Sequence, residues 1–256
     1  MTIRLSCIGD SITRGQISAD YIAPLTSRHP QLTVHRFGVN GDFAYNLLQR
    51  LDPVVATGAD AITVLIGTND ARASLPGYPT AKTMKRKGLP RPPSRDWFAE
   101  CLTGIVGRLR RDTDAEIALL SLPALGQVLD AAPMRAAAEY SATMAEIARA
   151  AGVAYLPLHE RQADALRSQP VDPVPYRELT PAGFIATLLR RGLGGDLDAL
   201  ARRRRLALTT DHIHQNSRGA ALIAEVIDEW LAHLPRNTSP DGTRTGKHPR
   251  AEGRRP

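Results

Sequence analysis

Two hydrophobic rhythms alternate along this chain. Short, almost continuous apolar runs rich in Ile, Val and Leu occur at 3–9, 32–38, 61–67, 116–121 and 153–158. Between them, apolar residues recur every three or four positions at 44–51, 97–111 and 134–151. A last such stretch, 217–234, places Leu222, Ile223, Val226, Ile227, Trp230, Leu231 and Leu234 on one side. The first rhythm predicts strands and the second predicts amphipathic helices. Strands that are apolar on both sides are buried on both sides, so the alternation predicts an α/β fold with a parallel sheet covered on each face. Ligands in such sheets bind beyond the carboxyl ends of the strands.

Two stretches break the alternation. Residues 76–95 hold five prolines and six basic residues, and read as a long loop of the kind that forms lids. After residue 158 comes a segment with prolines at 170, 173 and 175. It continues in two short helical patterns, 180–191 and 196–205, separated by Gly192-Leu193-Gly194-Gly195. Pro181 suits a helix start. This second insertion reads as a helical subdomain over the strand ends. The expected organisation is one domain, 1–235, with insertions 76–95 and 160–207 beside the mouth of the site, and a tail, 236–256. The tail lacks large apolar residues and is expected to be disordered.

Composition adds few constraints. The chain has 256 residues, 43% hydrophobic and 23% charged, ample for a core. No run approaches the roughly 20 apolar residues of a membrane span. The start of the chain reads as a strand, not as a signal peptide. Two cysteines, Cys7 and Cys101, make no disulfide framework, so a reducing compartment, the cytoplasm, is expected. The formal charge of +7 raises the question of an anionic partner. Its distribution weakens that reading. Residues 82–95 carry +6 and residues 236–256 carry +4, leaving −3 elsewhere.

The residues that follow the strands carry the chemistry. Gly9-Asp10-Ser11 follows the first strand. A serine there presents its hydroxyl at the sheet end, and a helix behind it offers N–H groups to an oxyanion, although Gly-Asp-Ser is also a common turn and helix cap. Gly38-Val39-Asn40-Gly41-Asp42 follows the second strand. Gly41 can offer its N–H to a substrate oxygen, or the segment is a strand-to-helix turn capped by Asp42. Gly67-Thr68-Asn69-Asp70 follows the third, where the uncharged Asn69 amide can donate to an oxyanion or serve a polar turn. Asp211-His212-Ile213-His214 precedes the last helix. Asp211 and His214, three apart, can meet, so that Asp211 holds one ring nitrogen and the other faces a serine. Together these form the inventory of a serine hydrolase: nucleophile, base, orienting acid and three oxyanion donors. His212 and His214 also form a His-x-His pair, but no further ligand-spaced cluster accompanies them, so no metal and no cofactor is expected. The other five histidines read as surface or packing residues.

At these four blocks the sequence resembles the SGNH, or GDSL, family of serine esterases and acyl hydrolases. The stretch from Gly41 to Leu51 also resembles the segment after the family's second block. The resemblance covers residues 3–75 and 208–234 well, 114–158 loosely, and neither insertion. It implies a flavodoxin-like three-layer α/β/α sandwich of about five parallel strands in the order 2-1-3-4-5. It implies that Ser11 is the nucleophile, His214 the base and Asp211 its orienting acid. The N–H groups of Ser11 and Gly41 and the side chain of Asn69 would form the oxyanion hole, and Asp10 would support the nucleophile loop. His212 stands where the family often has a small residue. The activity implied is hydrolysis of a small-molecule, lipid or sugar ester. Two alternatives remain: an acyltransferase using the same triad, and a catalytically vestigial protein that binds nucleic acid or an anionic surface. The basic clusters sit in a loop and a tail, and aromatics are only 5%, so no nucleic-acid partner is expected. Arg202–Arg205 is the one basic run elsewhere.

Overall fold

The computed structural model describes residues 2–168 and 172–234. The expected tail, 236–256, lies outside the described residues, as does Pro170.

Five strands form one parallel sheet: β1 (Ile3–Gly9), β2 (Leu32–Gly38), β3 (Ala61–Leu65), β4 (Glu116–Leu120) and β5 (Ala154–Leu156). Their order is β2-β1-β3-β4-β5, and every pairing is parallel. The helices are α1 (Ser11–Arg14), α2 (Ile22–Arg28), α3 (Ala44–Leu48), α4 (Asp52–Val55), α5 (Thr68–Ala73) and α6 (Thr80–Lys87). They continue with α7 (Arg95–Asp112), α8 (Ala132–Ala151), α9 (Leu158–Arg167), α10 (Pro181–Gly192), α11 (Leu197–Arg203) and α12 (Ser217–Ala232).

Alternation along the strands divides the core in two. Ile8, Ile62, Val64, Ile117 and Leu119 face a cluster with Phe43, Leu47, Phe98, Leu102, Tyr140 and Met144, from the α3, α7 and α8 side. Leu5, Cys7, Ala61, Leu65, Ala118 and Leu120 face the other cluster, with Ile22, Leu25, Ile223 and Ile227, from the α2 and α12 side. This is the three-layer sandwich that the apolar strands predict. Both cysteines are buried and free. No helix among the described residues is long and apolar enough to cross a membrane.

The structure departs from the sequence pattern in several places. Residues 76–95 are not simply a loop, because α6 lies within them. Its Ala, Met, Lys and Arg residues are good helix formers. Lys85, Arg86 and Lys87 sit in its last turn, where cations complement the helix dipole, and Gly88 ends it in the left-handed conformation at φ 61°. The helical pattern 44–51 holds only α3, Ala44–Leu48, and a separate short helix, α4, starts just beyond it with Pro53 in its first turn. α2 and α9 have no counterpart in the pattern reading. α9 begins on Leu158, the residue the pattern assigns to the end of the last strand. α10 and α11 match the two helical patterns of the second insertion.

Candidate active site

The chain runs outward from β1 to β2 at the sheet edge and then crosses back to β3, so β1 lies at the point where the strand order reverses. The carboxyl ends there open the crevice in which ligands bind to such sheets.

Ser11 is the first residue of α1, directly beyond β1. Asp10 is its N-cap, and the Asp10 carboxylate accepts from the Ile12 N–H at 2.9 Å. The Ser11 N–H, at the first helical position, has no intrahelical acceptor and is available to a ligand. Gly9 permits this geometry, since a Cβ there would stand 2.1 Å from the Leu65 carbonyl oxygen. Burial pushes the Asp10 carboxyl up to about 6, against the lowering effect of its bond to Ile12 and of the nearby His214 and Arg72.

The fourth block folds back to meet this serine. Thr209 bridges Gln215 in antiparallel fashion, and the Thr210 N–H donates to the His214 carbonyl at 2.7 Å. Within that turn, Asp211 Oδ1 accepts from the N–H groups of Ile213 at 3.2 Å and His214 at 2.8 Å. The His214 ring reaches Asp211 Oδ2 through Nδ1 at 2.8 Å, and its Nε2 lies 2.9 Å from Ser11 Oγ. A carboxylate only accepts, so Nδ1 carries the proton and Nε2 is the acceptor for the serine hydroxyl. Burial alone would raise the Asp211 carboxyl. The charge and hydrogen bonds of His214, with the Ile213 N–H, outweigh burial and hold the group below the usual range. The turn is anchored to the segment after α1, where the Ala19 N–H donates to the Gln215 carbonyl at 2.8 Å and the Gln215 N–H to Ser18 Oγ at 3.0 Å.

His212 occupies the tight position of the turn, at φ 72°. That backbone explains why a small residue suits the place, although His is among the side chains that tolerate it. Its ring meets the Tyr176 ring edge-on at 5.7 Å.

Gly41 and Asn69 face the same crevice from β2 and β3. Gly41 has φ 73°, a conformation that favours glycine. Asp42 does not cap the following helix; Phe43 stands at the N-cap of α3. The buried Asp42 carboxylate is instead held from two sides, by Arg50 Nε at 2.8 Å and by Lys87 Nζ at 2.7 Å. Arg50 also donates to the carbonyls of Phe37 and Gly9, tying the ends of β2 and β1 together. Lys87 also donates to the Asn40 carbonyl at 3.1 Å, so a residue of the first insertion braces the Gly41 loop.

Asn69 lies on α5 and donates through Nδ2 to the Asp42 carbonyl at 3.0 Å. Its Oδ1 accepts from the Arg72 guanidinium at 2.7 Å. With the carbonyl taken by a cation, the amide presents its N–H groups on the side of Asp42 and Asp10. Arg72 in turn pairs with Glu178 of the second insertion, and Glu178 accepts from the Tyr176 hydroxyl at 2.7 Å. Asp70, beside Asn69, accepts from the Ala44 N–H at 3.1 Å. Burial pushes its carboxyl up to about 7, and the proximity of Asp10 adds to the rise.

All six sequence-predicted site residues therefore lie at this end of the sheet. Ser11, His214 and Asp211 make one hydrogen-bonded relay, while Asp10 and Asn69 approach each other at 3.5 Å. Arg50, Arg72, Lys87, Glu178 and Tyr176 escape pattern reading. Only Arg72 carries a local signal, since it lies three residues after Asn69 on one helix. Among the described residues no group of three or more His, Cys, Asp or Glu is placed to hold a metal ion.

The parallel sheet and the strand-end site define a member of the SGNH hydrolase fold. Residues 7–222 match the model of the GDSL-like Lipase/Acylhydrolase family, and the chain belongs to that family, whose members hydrolyse carboxylic esters. A search of curated protein sequences finds no match. Solved structures share the fold at low identity. The acetylxylan esterase Axe2 from Geobacillus stearothermophilus aligns at 19% identity and TM-score 0.62, over 91% of this chain and 95% of that one. The acetyl xylan esterase AlAXEase aligns at 17% identity and TM-score 0.62, over 91% and 100%. LAE5, an α/β hydrolase from the metagenome of Lake Arreo, Spain, aligns at 18% identity and TM-score 0.62, over 92% and 99%.

Proposed function

We propose that this protein cleaves carboxylic esters through an acyl-enzyme on Ser11, with His214 as general base, Asp211 orienting it, and Ser11, Gly41 and Asn69 supplying the oxyanion hole. The observation that carries this reading is the continuous relay from Asp211 to His214 to Ser11 at hydrogen-bonding distance. In Axe2, mutants described as catalytic replace a serine, an aspartate and a histidine three positions after that aspartate, the same residue types and spacing as Asp211 and His214.

In the first half-reaction Ser11 Oγ attacks the ester carbonyl carbon as its proton passes to His214 Nε2. The carbonyl oxygen becomes an oxyanion facing the Ser11 and Gly41 N–H groups and the Asn69 amide. The imidazolium, stabilised by Asp211, returns the proton to the departing alcohol oxygen as the tetrahedral centre collapses. Water then attacks the acyl-serine with the same base, and the acid is released. A fluorophosphonate probe is the direct test. The wild type labels and Ser11→Ala does not; labelling that survives the substitution would remove Ser11 as nucleophile. Adding a competing alcohol during turnover separates hydrolysis from transfer, and free acid is the expected product.

A further inference from the structure

A cavity of about 580 Å³ opens between three segments that lie far apart in sequence: 75–78 after α5, 128–133 before and into α8, and 173–178 in the second insertion. We propose that this cavity is a subsite for an apolar group carried by the ester, which makes the enzyme favour bulky apolar esters over acetylated sugars. The inference rests on the reading of Ser11, His214 and Asp211 as the ester-cleaving site.

Two lining residues stand between the cavity and residues beside the candidate catalytic set. Tyr176 stands in its wall and packs edge-on against His212, within the turn that aligns Asp211 with His214. Glu178 stands in the same wall and pairs with Arg72, whose guanidinium holds Asn69. A group filling the cavity is therefore one side chain away from the His214 turn and one side chain away from the Asn69 helix.

The lining specifies the chemistry. Pro133, Pro173 and Pro175 give rigid, apolar walls with no N–H to offer, and Tyr78 adds an aromatic ring. The volume falls within the roughly 300–1,000 Å³ of small-molecule sites. Glu178 is the one charged residue of the lining, and Arg72 together with the Tyr176 hydroxyl already engages it. It therefore makes no call for a cationic substrate. A sugar ring placed here would find few free partners for its hydroxyls, and leaving them unpaired is unfavourable. An alkyl or aryl group loses nothing by entering.

The apolar group can belong to the acyl or to the alcohol part, and two substrate series distinguish them. One series is p-nitrophenyl acetate, butyrate and octanoate. The other is ethyl, hexyl and phenyl acetate, with an acetylated xylooligosaccharide as the sugar probe. Wild-type kcat/KM is expected to rise about tenfold or more along one series and to exceed that for the sugar ester. Ala131→Trp and Ala132→Trp each push a side chain toward the cavity from the start of α8. Each should flatten that series, bringing the ratio of largest to smallest substrate toward one, while thermal melting checks that the variant is folded. A folded variant that keeps the wild-type ratio overturns the subsite, and so does a wild type that favours the acetylated sugar. A wild type that cleaves no ester in either series overturns the esterase reading itself.

Discussion

At the residue scale, the site is a set of donors and acceptors with each member's freedom removed by a neighbour. Asn69 shows this best. An asparagine amide can point either end into the crevice, and the Arg72 guanidinium at 2.7 Å from its Oδ1 selects the donating end. An oxyanion donor lowers the barrier by about 3–4 kcal/mol. Asn69→Ala is accordingly expected to cut kcat by on the order of a hundredfold or more, in a variant that still folds. Arg72→Ala leaves the amide free to turn, so it should lower kcat with KM nearly unchanged. In an Asn69→Ala background it should add almost nothing, because the group it orients is gone. Steady-state kinetics on the two single variants and the double variant check this, and fully additive losses would show that Arg72 acts elsewhere. Asn69 was legible from its place after a strand. Glu178, more than a hundred residues further on, was not, because its pairing with Arg72 depends on where the second insertion comes to rest.

At the scale of elements, the loops between strand and helix position the chemistry, and other elements brace them. The Gly41 loop is the clearest case. Gly41 has φ 73°, and the nearest atom to a Cβ there would be Lys87 Nζ at 3.9 Å. Space is therefore available, and only backbone strain opposes a side chain. Gly41→Ala is expected to destabilise the fold by about 1–2 kcal/mol. It should also lower kcat, as the N–H shifts when the strain relaxes. Denaturant unfolding beside kinetics measures both, and an unstrained variant with full activity would dismiss this loop as a donor. The brace on the loop comes from α6. The basic run 82–95 reads in sequence as part of a lid-like loop, yet Lys87 in α6 is held by Asp42, and beyond that helix Arg91 and Arg95 make exposed pairs with Glu100 and Glu139. The run Arg202–Arg205 is also partly internal. Arg204 donates to the Thr210 carbonyl just ahead of Asp211, and Arg205 pairs with Asp172. Of the basic residues counted along the chain, Lys87 and Arg204 are thus tied to the loops of the site, while Arg91, Arg95 and Arg205 make exposed pairs.

At the scale of the whole molecule, closing the sheet ends over the site buries two carboxyls, Asp10 and Asp70. Burial raises them from the ordinary 3.8 to about 6 and about 7. A raised folded-state value means that the folded chain holds protons the unfolded chain has released. Their contribution to stability is therefore full below pH 4 and is lost as the pH rises through about 6 to 7. Urea unfolding across pH 4 to 8 should show this loss. Asp70→Asn keeps an acceptor for the Ala44 N–H and should flatten the decline; an unchanged slope would mean that Asp70 is already ionised throughout.

The apolar rhythm along the chain already specifies the alternation of strand and helix, and with it a sheet covered on both faces. Apolar runs of strand length have to be buried, and only a sheet covered on both faces buries them. The same chain places the proposed chemistry, since Ser11, Gly41 and Asn69 each follow a strand and Asp211 and His214 are close enough to meet within one turn. Tertiary structure alone decided that His214, 203 residues from Ser11, arrives 2.9 Å from its hydroxyl. It also decided which charges brace the loops and what lines the cavity beside them. Pattern reports burial because burial depends on local periodicity. Pairing across the fold depends on where distant segments come to rest, and no local spacing encodes that.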